Sequence, residues 1–543
     1  MPSLFKESIV NKLNSCFAAV LLIACQPGLA HEPDATGTPT RERLGKVHFE
    51  TSCIPAVSGT FNTAIALLHS FWTKEAIEGF NLVLKQDPAC SMAYWGIAMA
   101  SQQNPLTGQD PSPPAAQAAR AALGKAAAMA VRTQRERDYL AAIDLIYKDA
   151  DKINTRTRRI AYEQAMQALA QRYPQDAEAT IFHALALNMT ADLGDKTFAN
   201  QLKAAAILEQ LSPLQPEHPG ISHYLIHSYD YPGIAERGVA SANLYAKAAP
   251  NNPHALHMPS HIYTRLGSWQ ASVDTNKRSA MAAKAEFNGQ EQAHAMDYMA
   301  YAYLQLGQDA QAKRIVIDAL AIDTINPAIF IGPYALAAMP ARETLERGAW
   351  AEAAALTHQP SRFPFTVAIT HFARGLGSAR MGHVDAAQKE LAQLAALRDA
   401  LNEQKNAYWS GQVDVQRLAV AGWIALAQRA PADALRWMRA AADLEDSMEK
   451  HIVTPGPVVP ARELLGEMLL EVKQSAEALL AFEASTKREP NRLRGLHGAA
   501  QAAALAGSRE KARMYYSRLA ALTQTSDGTR PELRQAQGYL TQR

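Results

Sequence analysis

Cysteine, aromatic residues and strand-like patterns are all scarce in this 543-residue sequence. It has four cysteines, and aromatic residues make up 7% of it. Alternating runs of β-branched residues are nearly absent, which argues against a large β-sheet, whereas alanine-rich helical stretches follow one another along the chain. The net charge is +2 with acidic and basic residues interspersed, so no nucleic-acid surface is indicated. No Gly-x-Ser-x-Gly, phosphate-loop or dinucleotide motif supports a hydrolase or nucleotide-binding function.

The first 30 residues are predicted to be a signal peptide rather than part of the fold. Lys6 and Lys12 give a weakly basic start, and residues 17–24 form an apolar stretch that is too short to span a bilayer. The stretch ends in a lipobox-like Leu-Ile-Ala before Cys25, which favours lipidation of Cys25, while cleavage after Ala30 is the alternative. Both routes predict export, to the periplasm or as an outer-membrane lipoprotein, with the lipid as the only membrane anchor.

Export bears on the two cysteines that lie in the folded region after processing, Cys53 and Cys90. An even number of cysteines in an oxidising compartment favours a disulfide between them. Such a disulfide would close a loop of about 37 residues and contribute ~3–4 kcal/mol to stability. Two buried free thiols are the alternative.

Short turns of one pattern divide the chain into helical hairpins. A glycine ends one helix, a short turn follows, and small alanines in the next helix allow close packing, as at Gly267, Gly307, Gly348, Gly382 and Gly507. These turns resemble those of the tetratricopeptide-repeat superfamily over about residues 57–530. The resemblance implies an all-α fold, a right-handed α-solenoid of helical hairpins in two arrays.

The expected domains follow from this organisation: an N-terminal extension at residues 31–56, one array at 57–356 and a second at 357–543. The chain also resembles a group of exported bacterial tetratricopeptide-repeat proteins. The strings that carry this resemblance are residues 47–49 with Cys53, 67–71, 93–96, 223–230, 254–261, 449–451 and 460–463. This second resemblance implies the architecture and leaves the chemistry open.

Two histidine pairs keep register with the repeat. His223/His227 and His257/His261 are displaced by 34 residues, which is the length of a tetratricopeptide repeat. Each pair has the spacing H-x-x-x-H, so both imidazoles lie on one face of a helix, one turn apart. Scattered histidines have no reason to follow a structural repeat, so these pairs are the main indication of function.

A third helix continues the pattern. His254 and His257 recur 40 residues later as His294 and Asp297, as expected if one loop between repeats is six residues longer. The resemblance to the repeat superfamily implies that these positions lie on the first helix of each hairpin and line the concave groove. Pro259 falls inside the middle helix and predicts a kink there.

Neutral imidazoles and carboxylates at such spacing are suitable ligands for copper, zinc or iron. The predicted metal ligands are His223, His227, Asp230, His254, His257, His261, His294 and Asp297. Each aspartate would either bind the metal or orient a histidine. Two metal-free alternatives stay open: a groove that binds a peptide or protein, and a structural hydrogen-bond network.

The sequence therefore predicts an exported repeat protein whose groove binds a transition metal through a His/Asp cluster. One alternative is a periplasmic metalloenzyme, in which the metal activates water or dioxygen. The other is a metal-free scaffold for protein–protein interactions in the envelope. His451 would reach the groove if the solenoid curls back on itself.

Overall fold

A computed structural model describes residues 44–542 of the protein. The predicted signal peptide, the predicted lipidation site Cys25 and the first half of the expected N-terminal extension lie outside this range. Helix accounts for 72% of residues 44–542, and this part of the chain contains no strand. The predicted all-α class is therefore confirmed. Within residues 44–542, no helix combines the length and the apolar character that crossing a membrane requires.

The first helices in chain order are α1 Ser58–His69, α2 Thr73–Gln86, α3 Ser91–Ala100, α4 Pro113–Ala127, α5 Gln134–Tyr147, α6 Thr155–Arg172, α7 Ala177–Met189, α8 Ala199–Leu211, α9 Pro219–Tyr229, α10 Val239–Ala248, α11 Pro253–His257, α12 Pro259–Arg265 and α13 Trp269–Ala285. The later helices are α14 Gly289–Gln305, α15 Asp309–Leu320, α16 Ile331–Glu346, α17 Trp350–Ala354, α18 Pro364–Arg380, α19 Val384–Glu403, α20 Ala407–Ala427, α21 Pro431–Ser447, α22 Ala461–Glu471, α23 Ser475–Arg488, α24 Leu493–Leu505, α25 Arg509–Leu522 and α26 Pro531–Thr541.

Consecutive helices pack against each other as hairpins, for example α1 with α2, α13 with α14 and α20 with α21. Helices two apart also pack, as α7 does with α9 and α22 with α24, so each hairpin stacks on the next. Glycines allow close approach in these stacks: Gly466 and Gly498 leave room for the ring of Phe482, which a Cβ atom at either position would displace. The predicted solenoid of stacked helical hairpins is confirmed.

The hairpin turns share one backbone geometry, which ends the first helix of each pair. Gly267 has a φ of +64°, and the next amide, that of Ser268, donates to the carbonyl of Tyr263 at 2.8 Å, as in a Schellman cap. Arg429 and Lys473 have the same left-handed φ, +62°, at corresponding turns. Glycine is therefore favoured at this position but not required, and the glycine pattern identifies only part of the turns.

The chain closes on itself through the loop between α21 and α22, residues 449–460, which we call the closing segment. Tyr298 on α14 donates its hydroxyl proton to the carbonyl of Thr454 at 3.0 Å, and Arg342 on α16 donates to the carbonyl of Gly456 at 2.9 Å. His451 lies with its Nε2 3.4 Å from the carbonyl of Thr107. The solenoid thus curls back, and the closing segment fills its inner side.

The buried apolar residues form two large cores, one between Leu44 and Ile262 and the other between Phe330 and Ala536. Two small clusters lie between Trp269 and Met339, and the one that reaches Met339 overlaps the start of the later core along the chain. The division into two arrays at residue 357 stays a prediction. Cys53 and Cys90 are joined as a disulfide, with Cα atoms 4.8 Å apart, which connects the segment before α1 to the start of α3.

Gly267→Ala is expected to destabilise the protein more than Gly507→Ala. Both glycines have a positive φ, which costs a residue with a Cβ atom about 1–2 kcal/mol. At Gly267 the added Cβ also meets the carbonyl oxygen of Pro490 and the Cβ of Asn491, and such overpacking adds about 1–3 kcal/mol. Around Gly507 no atom lies within 4 Å of the added Cβ.

The measurement is the midpoint of urea unfolding for the two variants and the unmodified chain. A larger loss for Gly267→Ala is the expected result. Equal losses would contradict the close approach of the α12–α13 turn to the loop before α24.

Candidate metal centre

Four of the predicted histidines lie on two stacked helical elements. His223 and His227 are one turn apart on α9. Pro259 divides the middle helix, so that His257 ends α11 and His261 lies in the first turn of α12. The predicted kink is thus a break at Met258, because a proline inside a helix has no amide proton to donate. The single helical turn across the break keeps His257 and His261 on the same face of the α11–α12 pair.

Six histidines come together as two groups of three. We call His223, His227 and His254 the first triad, and His257, His261 and His294 the second triad. Within each triad the nearest ligand nitrogens all lie within 4.8 Å of one another. The sequence-predicted histidines are therefore all brought together in the structure, on α9, α11, α12 and α14.

Hydrogen bonds behind the second triad determine which ring nitrogens carry protons. The Nδ1 of His261 lies 2.8 Å from a carboxylate oxygen of Asp230, and the Nδ1 of His257 lies 2.6 Å from the amide oxygen of Asn276. The amide nitrogen of Asn276 donates to the carbonyl of Ser272 at 2.8 Å, which fixes the orientation of this amide. Since both partners can only accept, both Nδ1 atoms carry the proton.

The two Nδ1 protons determine the state of the Nε2 atoms on the opposite side of the rings. The Nε2 atoms of His257 and His261 lie 3.1 Å apart. With a proton on each Nδ1, a neutral imidazole has a bare lone pair on Nε2. Two lone pairs therefore face each other with no proton between them, an arrangement that a cation would turn from repulsive to attractive.

The first triad is anchored by a hydrogen-bond acceptor at His223 alone. Its Nδ1 donates to the carbonyl of His69 at 2.6 Å, which leaves Nε2 bare. This Nε2 lies 3.0 Å from the Nε2 of His227 and 3.2 Å from the Nε2 of His254. The other ring nitrogen of His254 lies 3.5 Å from a carboxylate oxygen of Glu291. The Nε2 atoms of His227 and His254 thus both lie close to the Nε2 of His223, and the ligand atoms of the triad lie within 4.8 Å of one another.

Burial keeps these imidazoles neutral. It lowers the pKa of His223, His227 and His257 well below the ordinary value of histidine, and neighbouring histidines lower it further. Burial also lowers the pKa of His294, to about 3. The neutral imidazole is the form that binds a metal ion, so the rings hold their metal-binding form at neutral pH without deprotonation.

The predicted aspartates lie outside both triads. Asp230 accepts hydrogen bonds from His261, from Arg265 at 2.9 Å and from Lys450 of the closing segment at 2.8 Å. Burial would raise the pKa of Asp230, but these cations hold it well below its ordinary range. Asp297 is ion-paired with Arg342. Asp230 therefore orients a histidine, and the carboxylate of Asp297 belongs to a different buried pair.

A buried carboxylate supports the first triad from behind. Glu178 accepts from His69 at 2.9 Å and from His218 at 3.0 Å, while His69 also contacts the hydroxyl of Tyr224 at 2.9 Å. Burial raises the pKa of Glu178, but the two histidines lower it to about 2. The backbone carbonyl of the same His69 holds His223, so this cluster fixes the position of the first triad.

Sequence reasoning missed several of the supporting residues. Glu291 had a detectable signal, because it precedes His294 by three residues on the same helix and so shares its face. Asn276 and Lys450 had no detectable signal in the sequence, because they reach the site from another helix and from the closing segment. Spacing along one helix does not indicate such contacts.

The histidines are buried rather than arranged along an open groove. The side chain of His254, the most accessible of the six, is 12% exposed, and His257 is fully buried. The closing segment covers the inner side, which is why the groove expected from the superfamily is filled. One cavity of about 830 Å³, open to solvent, reaches the first triad at His227, and Asp230 and Lys450 are among its other lining residues.

No protein-family model and no curated protein matches the chain. Solved structures that resemble it include the human IFIT1 dimer with m7Gppp-AAAA, at a TM-score of 0.36 and 12% identity over 79% of this chain and 90% of that one. The APC/C hetero-tetramer Cut9-Hcn1 has a TM-score of 0.32 and 12% identity, over 90% of each chain. Likeness at this level carries no argument about ligand or activity, so the site is interpreted from its own geometry.

Lys450→Met is expected to destabilise the protein by about 3 kcal/mol, because it leaves the buried Asp230 carboxylate without one of its cations. Adding Asp230→Asn should recover part of this loss, since the amide oxygen still accepts from His261 and no longer needs Lys450. The measurement is a double-mutant cycle on the free energy of unfolding in urea.

Lys389→Met serves as the control, because Lys389 is exposed on α19 and should change stability by less than about 0.5 kcal/mol. Additive effects of the Lys450 and Asp230 substitutions would show that the two side chains do not interact.

Proposed function

We propose that this chain is an exported protein that binds a transition metal through its buried histidines. The observation that carries the proposal is the pair of facing Nε2 atoms of His257 and His261. Both rings have their Nδ1 proton engaged by an acceptor, so no hydrogen bond can join the two Nε2 atoms in the neutral state. A bound cation supplies the missing positive charge.

Two other ways to relieve this contact are less favourable. Protonating one ring would create a hydrogen bond, but burial lowers the pKa of both His257 and His261. Rotating a ring would break the bond from its Nδ1 to Asn276 or Asp230, and an unpaired buried polar group costs about 1–3 kcal/mol. Metal binding preserves every hydrogen bond behind the rings.

The spacing of the nitrogens supports the same conclusion. Metal–imidazole bonds of roughly 2.0–2.1 Å place two ligand nitrogens about 2.9 Å apart at a right angle and about 3.3 Å apart at a tetrahedral angle. The observed Nε2–Nε2 distances are 3.0 and 3.2 Å in the first triad and 3.1 Å in the second. Imidazole ligands without a thiolate suit copper, zinc or iron.

Export is the second part of the proposal. It is supported by the basic start, the short apolar stretch and the lipobox ending at Cys25 in the sequence. The disulfide between Cys53 and Cys90 is compatible with an oxidising compartment such as the periplasm.

A metalloenzyme is the second candidate function, and the cavity beside the histidines favours it. Three protein ligands leave at least one coordination position for water or substrate, which distinguishes catalytic from closed structural sites. His227 and Asp230 line a cavity of about 830 Å³, which is large enough for a small organic molecule. Lys450 and Tyr231 add polar groups to its wall.

Protein purified without a histidine tag is expected to contain copper, zinc or iron in stoichiometric amount, measured by plasma mass spectrometry. The double variant His257→Ala/His261→Ala should lose the metal of the second triad. His383→Ala is the matched control, because His383 is exposed in the turn before α19 and should leave the metal content unchanged.

Circular dichroism on each variant separates loss of metal from loss of fold. A folded, metal-free wild-type protein that also fails to take up added copper, zinc or iron would refute the metal proposal. Capture of a defined envelope peptide by that metal-free protein would instead support the scaffold.

Azide should bind the copper- or cobalt-loaded protein if a coordination position is open towards the cavity. The expected result is a new charge-transfer absorption band that saturates with azide concentration. A spectrum unaffected by azide would indicate a closed site and favour metal storage or sensing over catalysis.

A further inference from the structure

The two triads are built from equivalent parts of successive repeats. Each triad combines the two histidines of one H-x-x-x-H pair with a single histidine from a following helix: His254 for the first triad and His294 for the second. His254 follows His223 by 31 residues, and His294 follows His257 by 37. The difference of six residues equals the extra length of the loop inferred between the repeats. The same site construction thus occurs twice.

Each triad also has its own anchoring acceptor, independent of the other. In the first, the carbonyl of His69 holds the Nδ1 of His223. In the second, Asn276 and Asp230 hold His257 and His261. Each triad therefore presents at least one Nε2 lone pair that is fixed towards its own members.

Distances between the rings separate the triads in the same way. Within them, ring centroids are 4.8 Å apart for His223 and His227, and 4.2 Å apart for His257 and His294. Between them, the closest approaches that the structure gives are 5.7 Å for His227 with His261 and 6.3 Å for His254 with His257. The ligand nitrogens fall into the same two groups of three, each group lying within 4.8 Å. The two triads are therefore adjacent groups of ligands.

We infer that the chain binds two transition-metal ions, one in each triad, at neighbouring positions in the buried centre. This inference rests on the proposed metal-binding function. It adds the number of bound ions and assigns three histidines to each ion. Each ion has three imidazole ligands and retains open coordination positions. The first-triad ion lies next to the cavity, because His227 belongs both to this triad and to the cavity wall.

Cobalt titration of the metal-free full chain tests the stoichiometry. The protein is stripped by dialysis against a chelator, and Co²⁺ is added while the visible d–d absorption is followed. The absorption is expected to saturate at two equivalents per chain, with two ions counted independently by mass spectrometry. Saturation at one equivalent would overturn the inference even if no variant could be prepared.

Single substitutions test the division between the triads. His254→Gln and His294→Gln are suitable because each removes one ligand from one triad and leaves the H-x-x-x-H pairs intact. Each variant should keep one tight site and weaken the other by at least about 100-fold, since even the loss of supporting residues around a metal costs 10–100-fold. The double variant should retain no tight site, whereas His383→Ala should retain both.

The outcomes distinguish the two levels of the proposal. A wild-type chain that binds no metal contradicts the proposed function and the inference together. A wild-type chain that binds one ion, lost in either His254→Gln or His294→Gln, contradicts only the two-ion inference and leaves metal binding intact.

Discussion

The carboxylate of Asp230 accepts hydrogen bonds from three buried groups, the Nδ1 of His261, the guanidinium of Arg265 and the ammonium of Lys450. A buried carboxylate is tolerated only with such partners, because its desolvation costs several kcal/mol. Lys450 belongs to the closing segment, 220 residues further along the chain. One carboxylate therefore couples the orientation of a histidine to the closure of the solenoid. The position of the His261 ring and the coverage of the centre by the closing segment therefore depend on each other.

The hydrogen-bond acceptors at the Nδ1 atoms determine whether the Nε2 atoms of the same rings carry a proton. A backbone carbonyl, an amide oxygen and a carboxylate each accept a hydrogen bond from an Nδ1–H group. The Nε2 atoms of His223, His257 and His261 are therefore unprotonated. Since the rings are buried and neutral, the fold selects the tautomer that binds metal before any metal arrives. A purely structural histidine network would alternate donors and acceptors, whereas in the second triad the lone pairs of His257 and His261 face each other. This preorganisation is the physical basis for interpreting the cluster as a metal centre.

Much of this architecture follows from sequence periodicity, and the rest depends on contacts that periodicity does not encode. The glycine turns and the histidine pairs repeat with the helical hairpins, so both the fold class and the grouping of six histidines were predictable. Asp297 shares a helical face with His294, but its carboxylate pairs with Arg342 on the next stacked helix. A helical stripe indicates which side of a helix a residue occupies and not which neighbour it meets. For the same reason Asn276 was not foreseen, and of the closing segment only the approach of His451 was.

The position of the closing segment in the sequence also bears on the order in which the protein folds. Both triads lie within residues 223–294, whereas the groups that cover them begin at residue 449, about 150 residues later. Contacts between residues this far apart close a much longer loop of chain than the contacts within a hairpin, and the entropic cost of loop closure grows with loop length. Packing of the hairpins that carry the triads is therefore expected to precede closure. The folding chain would then pass through a stage at which its histidines are accessible from the side that the closing segment covers in the finished protein.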